Sequence, residues 1–513
     1  MAVRSFYRII FLIVVLGILT SERMVSQFVS VPFSPLKLTI QPSELQLNQY
    51  DVGGNPAALY YDVQNSYLFL QGRREAKSGS AHAPFEPGAP VLYEYYVEGA
   101  KGIGRDQMFK GQFGFRQEFR GDWQWMDTKS YGLGNPFILA DSSTGRTVYR
   151  GIVANAQYSR LLAEGLTVGA EMTYGIDNGL KEVTPKPTST NRDLSLRLGV
   201  MAELRSDLHA GLSFRYLDQQ EEIRFEEDES GLLEETILFK FRGLDRYLRL
   251  TKKTELRNSQ YHAYQGFLHG DVALNEASHL VAYGGGGVES FSIIDGGSSP
   301  RNEGYWQREN LQGHFQGDHP LGELRVAFRL DYSTSRDWSR HPEYNVLLSE
   351  GTERQVDATV GLEAQVIPHV LRAGIEYGFC SEKRTLDDYL SAIHISYSQT
   401  RHWIGFGSSY RMSERLQTTL HYHYAFQSIV PVMLEGKNLS FFFTSIRKRE
   451  FDLSSAAGAG HHALYVVEYT TTTYGSAILQ LSYGKLAISE STFFTNLARS
   501  SFSISLGLKI STM

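Results

Sequence analysis

The sequence predicts an all-β fold, a transmembrane antiparallel β-barrel, and three observations carry the prediction. In the last stretch, Phe502, Ile504, Leu506, Leu508 and Ile510 alternate with Ser503, Ser505, Gly507, Lys509 and Ser511. That is the pattern of a strand with one face toward lipid and the other toward a polar lumen. The same period of two recurs along the chain, and a leader of export type stands before it. A bacterial single-chain barrel of about 14 strands is expected, within a range of about 12 to 18, with a short N-terminal plug-like segment and long outer loops.

The leader has Arg4 and Arg8 ahead of an apolar core, Ile9 to Leu19, and ends on Met24-Val25-Ser26. Its apolar run is short for a spanning helix, so cleavage before Gln27 is expected. The chain therefore divides into a signal peptide at 1–26, an N-terminal periplasmic or plug segment at 27–66 and a barrel at 67–513. No later apolar run is long enough for a helical span. The negative mean hydropathy fits a barrel, in which only alternate residues meet lipid. A single cysteine, Cys380, excludes an internal disulfide. A net charge of −6 argues against nucleic acid as a partner.

Regular period-two segments run over 108–119, 194–204, 208–217, 324–332, 356–366, 371–379, 420–426 and 477–483. Less regular candidates lie at 67–71, 92–97, 152–158, 267–274, 279–283, 393–397, 404–410 and 465–469. A soluble sandwich or propeller would also alternate, and period alone does not separate it from a barrel. The leader, the C-terminal strand and aromatic residues crowding strand ends, such as Tyr93, Tyr95 and Tyr96 or Tyr422 and Tyr424, favour the membrane barrel and its interfacial girdles. Stretches rich in turn residues at 76–90, 177–191 and 295–304 are expected as outer loops. The acidic stretch Asp218 to Glu235 is expected as a further loop, either simply solvated or touching a cation or partner at the cell surface.

Parity puts Lys110, Arg116, Glu118, Arg197, Glu203, Arg215, Arg325, Arg329, Asp331, Glu363, Arg372, Glu376, His421, His423 and Lys509 in the lumen. Turned toward lipid, such charges would cost about 2–4 kcal/mol each near the midplane. With both signs present, the set is either a mutually neutralising filling or a polar path for solute. His421 and His423 emerge on one face and could share a metal only with ligands from elsewhere. His461-His462 stands in a Gly/Ala-rich stretch read as a loop, distant from that pair, so no metal site is expected. Tyr283 and the four glycines after it lack the Lys-Ser or Lys-Thr of a phosphate loop and read as a bend or a close approach to a plug. No Ser/His or Asp/His pairing stands out, so neither enzymatic activity nor a cofactor is expected.

Ahead of the first strand, Gly53-Gly54-Asn55-Pro56-Ala57-Ala58-Leu59-Tyr60 makes a tight turn. Asn55-Pro56-Ala57 resembles the signature of barrels related to the long-chain fatty-acid transporter, which implies a luminal hatch. The layout as a whole resembles an uncharacterised family of Bacteroidota outer-membrane barrels. That resemblance implies company with a TonB-dependent receptor or a surface lipoprotein. The expected location is the outer membrane of a Gram-negative envelope, with outer-membrane lipids, lipopolysaccharide and the barrel-assembly machinery as partners. The expected role is a conduit or accessory component for a small or amphipathic solute; the alternative is a non-conducting docking barrel.

Overall fold

The computed structural model describes residues 54–512 apart from 63–65, 130–134, 184–185, 226–237, 251–254, 276–277, 344, 429, 431, 438, 473–474 and 491–494. The expected leader, Gly53 and the acidic residues beyond Phe225 lie outside the described residues. In chain order the strands are β1 (Ser66–Gly79), β2 (Ala89–Ile103), β3 (Gln107–Trp123), β4 (Leu139–Asp141), β5 (Gly145–Ala163), β6 (Leu166–Lys181), β7 (Thr188–Arg205) and β8 (Leu208–Phe225). They continue as β9 (Leu238–Phe241), β10 (Tyr247–Leu250), β11 (Glu255–Asn275), β12 (Ser278–Asp295), β13 (Arg301–Leu321), β14 (Leu324–Arg340), β15 (Leu347–Ile367) and β16 (Leu371–Asp388). The last are β17 (Ile393–Arg411), β18 (Leu416–Gln427), β19 (Met433–Glu435), β20 (Ala457–Thr472), β21 (Gly475–Glu490) and β22 (Thr495–Thr512).

Eighteen of these strands form one closed antiparallel barrel. Closure is made by β1 on β22, where Leu70 faces Leu508 and Gly72 faces Leu506. A closed ladder leaves no unpaired edge, the condition for a sheet surrounded by hydrocarbon. β4, β9 and β10 make a separate small sheet, and β19 adds only a short pairing to β17.

The expectation of about 14 strands is corrected to 18, for reasons visible in particular segments. The candidates at 393–397 and 404–410 are one strand, β17. β6 and β13 had no candidate, because glycines and polar side chains blunt their alternation. Most strands also continue well past the apolar band, so stretches expected as loops are ladder. Asp177 pairs Asn191 across β6 and β7, Asp218 to Phe225 belongs to β8, and the loops at 76–90 and 295–304 shrink to the residues between β1 and β2 and between β12 and β13.

Alternation appears directly in exposure. Leu68, Val97, Phe113, Leu198, Leu212, Leu362 and Leu506 are exposed large apolar residues on the outer wall, while their neighbours in sequence face the opposite side. Turns at the end carrying both termini are short, as at 104–106, 164–165, 206–207 and 322–323. The far end carries the long connections 124–144, 226–254 and 428–456. Tyr–His pairs ring the outer wall: Tyr216 with His262 at 3.3 Å and Tyr377 with His402 at 2.8 Å.

The glycine run after Tyr283 is neither a bend nor a plug contact. It lies within β12, paired on both sides. A Cβ at Gly285 would stand 2.1 Å from the Gly266 carbonyl oxygen, and one at Gly287 2.1 Å from that of Tyr264. Bare backbone is what lets β11 and β12 come this close.

Candidate functional site

The site is the polar interior together with what is folded into its two ends. Near the terminal end, Pro56–Ala58 forms a single 3₁₀ turn capped by Asn55, whose side chain accepts from the Ala57 N–H at 3.1 Å. This turn lies against β5, β6 and β7. Asn55 Nδ2 donates to the Val200 carbonyl at 3.1 Å, Ser159 Oγ donates to the Ala57 carbonyl at 2.9 Å, and Arg197 Nη1 donates to the Gly54 carbonyl at 2.7 Å. Gly169 and Gly199, partners across β6 and β7, form the floor. A Cβ at Gly199 would meet Asn55 Oδ1 at 1.9 Å, and one at Gly169 would meet the Pro56 carbonyl carbon at 2.3 Å. Gly54 holds φ +63, the left-handed region that favours glycine.

Lys110, Arg116, Glu118, Arg197, Glu203, Arg215, Arg325, Arg329, Asp331, Glu363, Arg372, Glu376, His421, His423 and Lys509 all occupy positions alternating with the outer apolar residues. Several are brought together. Glu363 takes Arg372 at 3.2 Å and Arg325 at 3.7 Å, and Arg325 also reaches Asp318 at 3.0 Å. Asp331 takes Arg329 at 2.5 Å and His314 at 2.6 Å. Arg197 meets Glu171 at 3.2 Å. Others go to separate partners: Lys110 to Glu98 at 3.6 Å, Arg116 to Asp177 at 3.4 Å, Glu118 to Arg120 at 2.7 Å, and Arg215 weakly to Ser195 at 3.5 Å. Lys509 lies over the Tyr67 ring. Glu376 is buried, and Glu203 is exposed near the terminal-end turn.

The histidine expectation is corrected. His461 and His462 belong to β20, where His462 pairs His423 and His461 pairs Tyr424. Alternation splits the dipeptide, sending His461 to Tyr422 on the outer wall and burying His462 inside with His421 and His423. Among the described residues no group of three His, Cys, Asp or Glu side chains is placed to hold a metal ion.

The far end holds what the sequence reading missed. Trp123, Met126, Ile138, Ala140, Phe241, Phe442 and Ile446 form one buried cluster with Phe85 and Tyr149, so pieces of four connections pack as a common cap. Leu244, Phe443 and Phe451 join Ile393, Ile395 and Tyr397 of β17. Ion pairs tie this cap to the wall. Lys181 reaches Asp141 at 2.7 Å and Asp127 at 3.3 Å, all three fully buried. Arg257 donates through Nε and Nη2 to both Asp295 oxygens at 2.8 Å, Lys240 meets the same carboxylate at 2.7 Å, and the Leu244 N–H donates to Asp388 at 2.6 Å. Burial and the neighbouring Asp141 carboxylate push Asp127 well above the usual carboxylate range. Asp452, on the helix Lys448–Ser455, is pushed up to about 6 by burial. A signal was present: Trp123-Gln-Trp125-Met126 and Phe441-Phe442-Phe443 are too apolar for solvated loops.

A closed 18-stranded barrel with an apolar outer wall, a charged inner wall and a packed far end defines the class to which this protein belongs. The chain belongs to the family described as "Family of unknown function (DUF6850)", whose profile matches residues 56–510. No curated protein matches it. Among solved structures it is similar to the siderophore receptor PiuA from Acinetobacter baumannii, at 7% identity and TM-score 0.41, covering 88% of this chain and 82% of that one. It is similar to the FrpB iron transporter from Neisseria meningitidis, at 9% identity, TM-score 0.41, 88% and 82% coverage. It is also similar to the toluene transporter TbuX from Ralstonia pickettii, at 11% identity, TM-score 0.31, 90% and 92% coverage.

Proposed function

We propose that this protein is an outer-membrane conduit for a small or amphipathic solute, held shut at rest by the far-end cap and by the Asn55–Ala58 turn. The single observation that carries the reading is the mixed-sign, ion-paired inner wall, with the Asn55–Ala58 turn packed on β5, β6 and β7 near one end and the buried aromatic cluster at the other. A wall of this kind offers successive charged stations once an end opens. Working alone or beside a TonB-dependent receptor are both compatible with it.

The buried Lys181–Asp127–Asp141 group favours a second reading, a docking barrel that never opens and whose cap presents a rigid surface to a partner protein. Planar-bilayer conductance separates the two. The conduit reading expects little current from the wild type and stepwise openings when residues 54–59 are deleted or the cap is loosened by Lys181→Met. Silence from a correctly inserted barrel in all three forms would leave only the docking reading.

A further inference from the structure

On the outer wall, Arg354 of β15 and Lys383 of β16 are direct cross-strand partners, and both side chains are exposed. Like charges placed directly opposite each other weaken a ladder. Here they are not relieved from within: among the described residues neither cation has a carboxylate partner. On the same two strands the outward carboxylates toward the far end are engaged elsewhere, Glu350 by Arg336 at 2.7 Å and Asp387 by His394 at 2.6 Å. Hydroxyls flank the pair on the same row, since Thr334 of β14 pairs Arg354 and Ser398 of β17 pairs Lys383.

Height decides what could meet this row. From Val366, an exposed apolar residue close to the terminal-end turn, to Arg354 is about 40 Å along the strand. A strand tilt of about 40° reduces that to roughly 30 Å, just beyond an apolar band about 25 Å tall. Below the cations and Ser381 the wall is apolar, with Val356, Ala358, Val360 and Leu362 on β15 and Phe379, Tyr377 and Ile375 on β16; above them it turns to Thr352 and Thr385. The row therefore sits where the headgroups of the outer leaflet begin. A guanidinium fork beside an ammonium matches the oxygens of a phosphate.

We propose that Arg354 and Lys383 bind the phosphate of an anionic outer-leaflet lipid whose chains lie on the apolar wall beneath. The site rests on the membrane placement proposed above and is independent of conduction.

The test uses the full chain in phosphatidylcholine vesicles, where insertion is first confirmed by a heat-modifiable gel shift, followed by its unfolding midpoint on heating. Vesicles doped with bisphosphorylated lipid A should raise the wild-type midpoint by several degrees. The double variant Arg354→Gln/Lys383→Gln should lose most of that rise, yet be at least as stable as the wild type without lipid A. Lys101→Gln, at the other end of the outer wall, should keep the full rise. Equal rises in wild type and double variant would overturn the site, as would a double variant less stable in lipid A-free vesicles. Inorganic phosphate alone giving the same rise would overturn the lipid as its source. Failure to insert sinks the membrane placement and this site together, whereas insertion with equal rises sinks the site alone.

Discussion

Lys181 shows at the scale of one residue what the far end depends on. Its ammonium is fully buried against Asp127 and Asp141, so removing it strands two carboxylates in a dry site. Lys181→Met should destabilise the cap by about 3–5 kcal/mol, measured as faster tryptic cleavage in 124–144 while the barrel still migrates as folded. Asp127→Asn removes one of two competing carboxylates and should cost far less. Asp452 gives a pH dependence with a definite sign. Its folded pKa of about 6 lies above the unfolded value, so the stability it contributes is fully present below the unfolded pKa and is lost as pH rises through about 6. Cap stability should fall between about pH 4 and pH 7. The same titration with Asp452→Asn should lose this component, and an unchanged profile would show that Asp452 is not its source. None of these residues stands out in sequence, because Lys181 lies in a stretch that reads as a turn and its partners come from an apparent loop.

Among the elements, the Asn55–Ala58 turn makes the most direct test of how an inward segment is held. Its floor is glycine on two paired strands, and the clearances there leave no room for a side chain. Gly199→Val should displace the turn, at a cost of about 1–3 kcal/mol of local docking energy, without unfolding the barrel. Protease sensitivity around 54–62 together with unaltered heat-modifiability would be the expected pair of results; a variant as resistant as the wild type would mean the turn is not seated on that floor. The turn itself was legible from Asn55-Pro56, since an Asn cap and a proline with fixed φ define a helical turn locally. Its resting place was not, because Gly169 and Gly199 are far from it in the chain and look like ordinary strand glycines.

For the whole molecule, the ion-paired inner wall sets the expectation for permeation. Arg325 already bridges Asp318 and Glu363, and Arg329 is held by Asp331. Changing both to Gln takes the arginine from Asp318 and leaves Glu363 to Arg372 and Asp331 to His314. In an opened barrel the reversal potential should shift toward cation selectivity; in a barrel that stays shut the same change should instead lower the unfolding midpoint, since it removes two cations from a partly buried ion-pair network. If neither selectivity nor stability moves, the inner wall is not the working surface.

What the sequence by itself determined was whatever depends on neighbours within a strand. Period-two alternation assigns each side chain to one of two faces, and that alone predicts a barrel with an apolar outer wall and puts Arg325, Arg329 and Asp331 on a common face. Where alternation was interrupted, the reading failed for physical reasons: glycines erased it in β6 and β12, and polar outer residues beyond the apolar band made ladder look like loop. Only the tertiary structure decided what depends on distant partners. Eighteen strands, the pairing of His423 with His462, the glycine floor beneath Asn55 and a cap drawn from four connections all arise from contacts between residues far apart in the chain, where burial and ion pairing outweigh local turn chemistry.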